Sequence, residues 1–138
     1  MTLIDTGPLV ALLDKGQGEV HQKCVAAQKN LVGPLLTTWP CFTEAMYFLQ
    51  QLRGWEGQAA LWDFVGRGAL FLHAPSDEET ARMRALMEKY QDTPMDLADA
   101  SLVALAESHG LKRILTLDSD FYVYRINDSE PFEVLPSP

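Results

Sequence analysis

The sequence predicts an α/β fold, a three-layer α/β/α sandwich with a mostly parallel central sheet, formed by residues 1–138 as one domain. Three observations predict it. Short apolar runs at Thr2–Ile4, Leu35–Thr38, Ala69–His73 and Arg113–Leu117 have the length of buried strands. Longer stretches with apolar residues at helical spacing lie between them. A chain of 138 residues can bury about two-thirds of its unfolded surface without staples. Strands alternating with helices imply right-handed βαβ crossovers, and hence parallel pairing.

The elements follow in order. Thr6-Gly7-Pro8 turns the chain after the first strand, and Pro8 suits the first turn of a helix that carries Leu9, Leu12 and Leu13 to about Asp14. Gly16-Gln17-Gly18 reads as a loop. Residues 19–31 place Val20, Cys24, Ala27 and Leu31 on one helical stripe. After the second strand, Pro40 to Leu52 reads as a helix ended by Gly54, and 56–66 as another. Ser76 and Glu79 form a capping box for a helix reaching about Tyr90. Thr93-Pro94-Met95-Asp96 opens the next helix as cap, proline and acid, and Gly110 stops it after His109. Tyr122–Ile126 and Pro131–Leu135 read as a terminal hairpin.

Composition narrows the function. With 47 % hydrophobic and 22 % charged residues the chain is an ordinary globular protein. A net charge of −8 argues against broad electrostatic attraction to nucleic acid, and leaves room only for a local basic rim. Arg53, Arg67, Lys112, Arg113 and Arg125 are the candidates for such contacts. Cys24 and Cys41 have no metal-ligand spacing and read as reduced thiols. Met1–Leu13 is too short to span a bilayer and lacks the basic start of a signal sequence, so a cytoplasmic protein with no membrane partner is expected. Trp39, Phe42, Phe48, Trp55, Trp62 and Phe64 read as core or dimer surface before they read as a base-stacking platform. No phosphate-binding glycine loop, nucleophile elbow or zinc spacing is present.

The chemistry lies in the acids. Asp5 ends the first strand, and Asp118 and Asp120 follow the fourth. Ligands of open α/β sheets bind outside the carboxyl ends of the strands. Asp96 and Asp99 stand at a helix start, and Glu44 lies within an apolar helix. Carboxylates gathered in one place stay ionised together only if a cation joins them. Oxygen ligands suit Mg²⁺ or Mn²⁺, the ions of phosphodiester cleavage. Each acid except Asp99, which lies beyond the cap, also has a plainer reading. Asp5 suits an Asx-turn, Glu44 a solvated helix face, Asp96 a capping box, and either Asp118 or Asp120 a turn cap. An aspartyl-phosphate nucleophile at Asp5 is the weakest alternative, because Gly7 stands where a second aspartate would be needed.

Four segments together resemble the PIN-domain family, and within it the VapC-type toxins of toxin–antitoxin pairs. They are Leu3–Leu12 with Asp5, Thr43-Glu44-Ala45, Met95–Ala104 with Asp96 and Asp99, and Leu115–Phe121 with Asp118 and Asp120. The resemblance spans essentially the whole chain. It implies a metal-dependent endoribonuclease that cleaves RNA, with Mg²⁺ or Mn²⁺ as cofactor. Carried over by motif, the ligands and catalytic acids are Asp5, Glu44, Asp99 and Asp118 or Asp120, with Asp96 as accessory. It also implies a small antitoxin as partner and a homodimer. The alternative is a catalytically silent module of the same fold that binds RNA or protein.

Overall fold

The computed structural model describes residues 1–137. Five strands form one sheet in the order β3-β2-β1-β4-β7, and every pairing in it is parallel. They are β1 (Thr2–Ile4), β2 (Leu35–Thr38), β3 (Leu70–His73), β4 (Arg113–Leu115) and β7 (Glu133–Leu135). A separate antiparallel pair joins β5 (Arg125–Ile126) and β6 (Glu130–Pro131).

Side chains of a strand alternate between the two faces of its sheet, so each central strand feeds two cores. Leu3, Leu36 and Ile114 enter one core, with α4 (Asp77–Lys89) and α5 (Leu97–His109). Their neighbours Ile4, Leu35 and Leu115 enter the other, with α1 (Thr6–Leu13) and α3 (Trp39–Gly66). Ala27 and Leu31 bring α2 (Glu19–Lys29) and its following turn against this second core. The result is the three-layer sandwich, and the buried strands read as continuous apolar runs for the same reason. Among the described residues no helix is long and apolar enough to cross a membrane. Cys24 and Cys41 are both free and buried.

One detail agrees with the sequence-based expectation and three depart from it. The two helices anticipated on either side of Gly54 are both present, as halves of α3 that meet where Gly54 takes φ 63° and ψ −148°. Only glycine adopts such a conformation at little cost, so the kink is written in the sequence. Beyond it Gly57 lies close beneath the first half of the helix. A Cβ there would meet the Leu49 carbonyl oxygen at 2.9 Å. Gly57→Ala is therefore expected to cost about 1–3 kcal/mol, read from the urea midpoint. Gly66→Ala, with nothing within 4 Å of its Cβ, should be neutral or mildly stabilising.

The Gly16-Gln17-Gly18 loop contains a turn of 3₁₀ helix at Lys15–Gln17, capped by the Asp14 carboxylate. Next, α5 begins at Leu97, capped by Asp96 and not by Thr93. Met95 is buried in the core and Asp96 is extended at ψ 176°, so the helix cannot start earlier. Finally, the terminal hairpin shrinks to β5–β6, closed over Asn127 and Asp128 in the left-handed region. Ser119–Tyr122 is a 3₁₀ turn, and Glu133–Leu135 leaves the hairpin to pair with β4. Val134 packs on one core and Leu135 on the other, the two-sided burial of a sheet strand.

Candidate metal centre

The carboxyl ends of β1 and β4 and the amino end of α5 converge on one cleft of about 580 Å³. Asp5 leaves β1 with its amide still bonded to the Leu115 carbonyl at 3.0 Å, then caps α1. Its Oδ1 accepts from the Thr6 amide at 2.7 Å and its Oδ2 from the Thr116 hydroxyl at 2.9 Å. Asp99 lies in the first turn of α5, where the helix dipole favours an anion. Its amide donates to Asp96 Oδ1 at 2.8 Å, and its Oδ2 accepts from the Tyr124 hydroxyl at 2.9 Å. Asp118 follows β4, and its Oδ1 accepts from the Asp120 amide at 2.9 Å.

Asp5, Asp99 and Asp118 each present a carboxylate oxygen, and the three atoms lie within 4.8 Å of one another. Glu44 lines the same cleft from α3, and its Oε1 accepts from the Thr6 hydroxyl at 2.8 Å. Asp96 lines it as well while capping α5. Asp120 lies in the first turn of the 3₁₀ segment that Asp118 caps, and it is not among the residues lining the cleft. The two acids after β4 are therefore separated: Asp118 joins the cluster and Asp120 does not.

Burial raises the Asp5 carboxyl to about 6, against the pull of the Thr6 and Thr116 hydrogen bonds; Asp118 and Asp96 push it further up. Burial, then repulsion from Asp96, raises Asp99 to about 7. Burial and Asp118 also raise Asp120. Three crowded carboxylates, with the Asp5 and Asp99 pKa values raised and with oxygen as the sole donor type, fit a hard divalent cation. Cys41 lies beside Asp5, its sulfur 3.9 Å from Oδ1. Burial and the Asp5 charge push its thiol up to about 12, which rules it out as a nucleophile at neutral pH.

Tyr124 was not singled out from the sequence. It is fully buried, packed edge-on against Tyr90 and Phe121, and its hydroxyl meets Asp99. It sits in a stretch that alternates only loosely, and no spacing rule connects it to Asp99, 25 residues earlier. The basic candidates fare differently: none lines the cleft. Arg53 pairs with Asp14 at 3.3 Å, Arg67 lies over the Phe64 ring, and Lys112 and Arg113 pair with Glu130 and Glu133. Arg125 donates to the carbonyls of Tyr122, Val123 and Tyr124.

The parallel sheet with acids gathered at its carboxyl edge defines a class of α/β/α domain built around a candidate divalent-cation site. Within that class the chain belongs to the PIN domain family, which matches residues 2–127. It is 27% identical over 139 residues to ribonuclease VapC26 of Mycobacterium tuberculosis, covering 97% of this chain and 99% of that protein. In fold it is similar to M. tuberculosis VapC20, a sarcin–ricin loop cleaving toxin, with TM-score 0.82 and 14% identity over 95% of this chain and 100% of that one. A toxin–antitoxin complex from Klebsiella pneumoniae matches with TM-score 0.66 and 21% identity, covering 88% of this chain and 90% of its own. VapBC2 from Rickettsia felis, bound to a promoter DNA fragment, matches with TM-score 0.66 and 14% identity, covering 96% and 97%.

Proposed function

We propose that this chain is a metal-dependent endoribonuclease of the VapC type, the toxin half of a toxin–antitoxin pair. The observation that carries the reading is the convergence of Asp5, Asp99 and Asp118 oxygens within 4.8 Å in an open cleft. It is supported by membership of the PIN family and by the ribonuclease among its relatives. Asp5, Asp99 and Asp118 would hold Mg²⁺ or Mn²⁺, with Glu44 as the fourth acid facing the cleft. The ion supplies Lewis acidity and neutralises charge that develops on the scissile phosphate.

The protein's own groups prepare this site. Thr116, Tyr124 and Thr6 each donate a hydroxyl to one oxygen of Asp5, Asp99 and Glu44, and the Thr6 amide donates to the other oxygen of Asp5. Such outer hydrogen bonds fix ligand orientation. Asp96 lines the same cleft, and it or Asp99 would orient the attacking water. The expected partners are RNA, a small antitoxin and a second copy of the chain, in the cytoplasm.

The test is incubation of purified protein with a total-RNA pool in Mg²⁺, Mn²⁺ or EDTA. Discrete fragments with 5′-phosphate ends that require the divalent ion are expected. A folded, antitoxin-free protein that binds the ion and leaves such a pool intact would favour a silent binding module. A companion expectation concerns Tyr124→Phe. The ring is kept and only the donor to Asp99 is lost, so Mn²⁺ affinity measured by calorimetry should fall about 10–100-fold.

A further inference from the structure

Tyr124, whose hydroxyl donates to Asp99, rides on a segment with little regular structure of its own. The segment runs from the 3₁₀ turn Ser119–Tyr122 through the two-residue strands β5 and β6. Asn127 and Asp128, at the tip between those strands, both take positive φ, 51° and 63°. Non-glycine residues hold that conformation only where their surroundings enforce it. A short strand pair is marginal by itself, so it cannot alone keep a hydroxyl fixed on a carboxylate.

The enforcing contacts come from α4 and α5. The Asn127 amide donates to Glu107 Oε2 at 2.6 Å, and Glu107 stands in the last turn of α5. The same carboxylate takes both arms of Arg82 from α4: Nε donates to Oε1 at 2.8 Å and Nη2 to Oε2 at 3.0 Å. Arg82 Nη2 also donates to Asp128 Oδ1 at 2.9 Å, and Lys89 Nζ donates to that oxygen at 2.7 Å. The Arg125 amide donates to the Tyr90 hydroxyl at 3.0 Å, and the Tyr90 ring packs edge-on against Tyr124. The Arg82–Glu107 pair is bidentate, and the Glu107 side chain is only 10% exposed. Both features set it apart from single-contact surface pairs, which hold little.

The spacing connects this pair to the acids. Asp99 and Glu107 are eight residues apart on α5, about 12 Å along its axis. Tyr124 and Asn127 are three residues apart, about 10 Å of extended chain. One segment is therefore tied to one helix at two points: Tyr124 to the acid near its start, Asn127 to the acid near its end. Between the ties, Ile126 is buried in the core that α5 also fills. Releasing the far tie frees the segment to shift, and the hydroxyl with it.

Resting on the reading of Asp99 as a metal ligand, we infer that Arg82 and Glu107 are positioning residues for the metal centre: their ion pair holds the Asn127 amide and so keeps the Tyr124 hydroxyl on Asp99. Neither residue lines the cleft. They act on the site through Tyr124.

The experiment makes Arg82→Ala and Glu107→Ala in the full chain, each with and without Tyr124→Phe, and titrates Mn²⁺ by calorimetry. Each alanine substitution should lower Mn²⁺ affinity about 3- to 30-fold, within the loss of about 10- to 100-fold expected for Tyr124→Phe. In the Tyr124→Phe chain the same substitutions should change affinity by less than about twofold, because the hydroxyl they act through is gone. A purely structural role would cost the same factor in both backgrounds. Hydrogen exchange in EDTA supplies a metal-free readout. The Arg125 amide keeps its Tyr90 acceptor in every variant, so faster exchange there reports a loosened segment and not a deleted bond. About tenfold is expected for either alanine variant. Where an alanine variant fails to fold, Arg82→Lys, which keeps the charge and loses the two-armed geometry, carries the same test with the same signs. Variants that bind Mn²⁺ like the parent, equal losses in the two backgrounds, or unchanged exchange at Arg125 would overturn the inference and leave the metal reading standing. A folded parent that binds no Mn²⁺ would overturn the metal reading, and this inference with it.

Discussion

Asp5→Asn is expected to reduce metal-dependent RNA cleavage by about a thousandfold while leaving the fold intact. The fold should survive because the substitution is nearly isosteric. The amide oxygen can still accept from the Thr6 N–H, the bond that caps α1, and the Thr116 hydroxyl can accept from the new NH₂ instead of donating. What is lost is one of three charged oxygens that meet within 4.8 Å. Removing a group that only orients a metal ligand costs about 10–100-fold, and loss of a ligand itself should cost more. A Lewis-acid contribution of several kcal/mol, at about 1.4 kcal/mol per tenfold in rate, gives the stated size. The measurement is the initial rate on a labelled RNA at saturating Mn²⁺, with circular dichroism as the control on folding. A variant within tenfold of the parent would remove Asp5 from the ligand set.

Asp5 was legible because local rules and fold rules agree on it. A short apolar run ending in Asp-Thr-Gly-Pro reads as strand, cap and helix, and the carboxyl end of a central strand is where α/β sheets place ligands. The Ser76–Glu79 capping box was legible for the same local reason, and it forms with both reciprocal bonds, at 3.1 and 3.2 Å. Glu44 was ambiguous in the sequence because a mid-helix glutamate has two possible environments. The contact with Thr6 that draws it to the cleft joins residues 38 apart. β7 was misread for a related reason. Its alternation suits a hairpin as well as a sheet edge, and only the open flank of β4 decides between them. The Tyr124–Asp99 contact and the cleft lay beyond sequence reasoning altogether. They exist where distant segments meet, and nothing in local periodicity reports such a meeting. The five basic residues show the converse. They are candidates for RNA contact by type alone; none lines the cleft, and each meets an ion-pair partner, backbone carbonyls or, for Arg67, the Phe64 ring.

Asp99→Asn should reverse the order of stability between variant and parent depending on whether a divalent ion is present. Asp99 is buried, and its pKa is raised from 3.8 to about 7 by that burial first and by Asp96 second. A raised carboxyl means that the folded chain holds the proton more tightly than the unfolded chain. Its contribution to stability is therefore complete below the unfolded value and is lost as pH climbs through the folded value. In EDTA the parent should lose stability from this group between about pH 4 and pH 7, by an amount on the order of 4 kcal/mol. Asn carries no charge to desolvate and can accept from the Tyr124 hydroxyl, so it escapes that loss. It forfeits only the favourable placement of a charge at the α5 amino end, about 0.3–1 kcal/mol. Urea denaturation in EDTA should then find the variant more stable than the parent at pH 7.5 and the two nearly equal at pH 4. Saturating Mn²⁺ at pH 7.5 should change the order. An ion at about 1,000 times its dissociation constant stabilises the parent by about 4.1 kcal/mol, more than the variant's advantage in EDTA, and stabilises the variant, short of one ligand, far less. Parallel pH profiles for the two proteins would show that Asp99 is ordinarily ionised in the folded chain. A variant that gained as much from Mn²⁺ as the parent would show that Asp99 does not hold the ion, so the two halves of the experiment test the electrostatics and the ligand role separately.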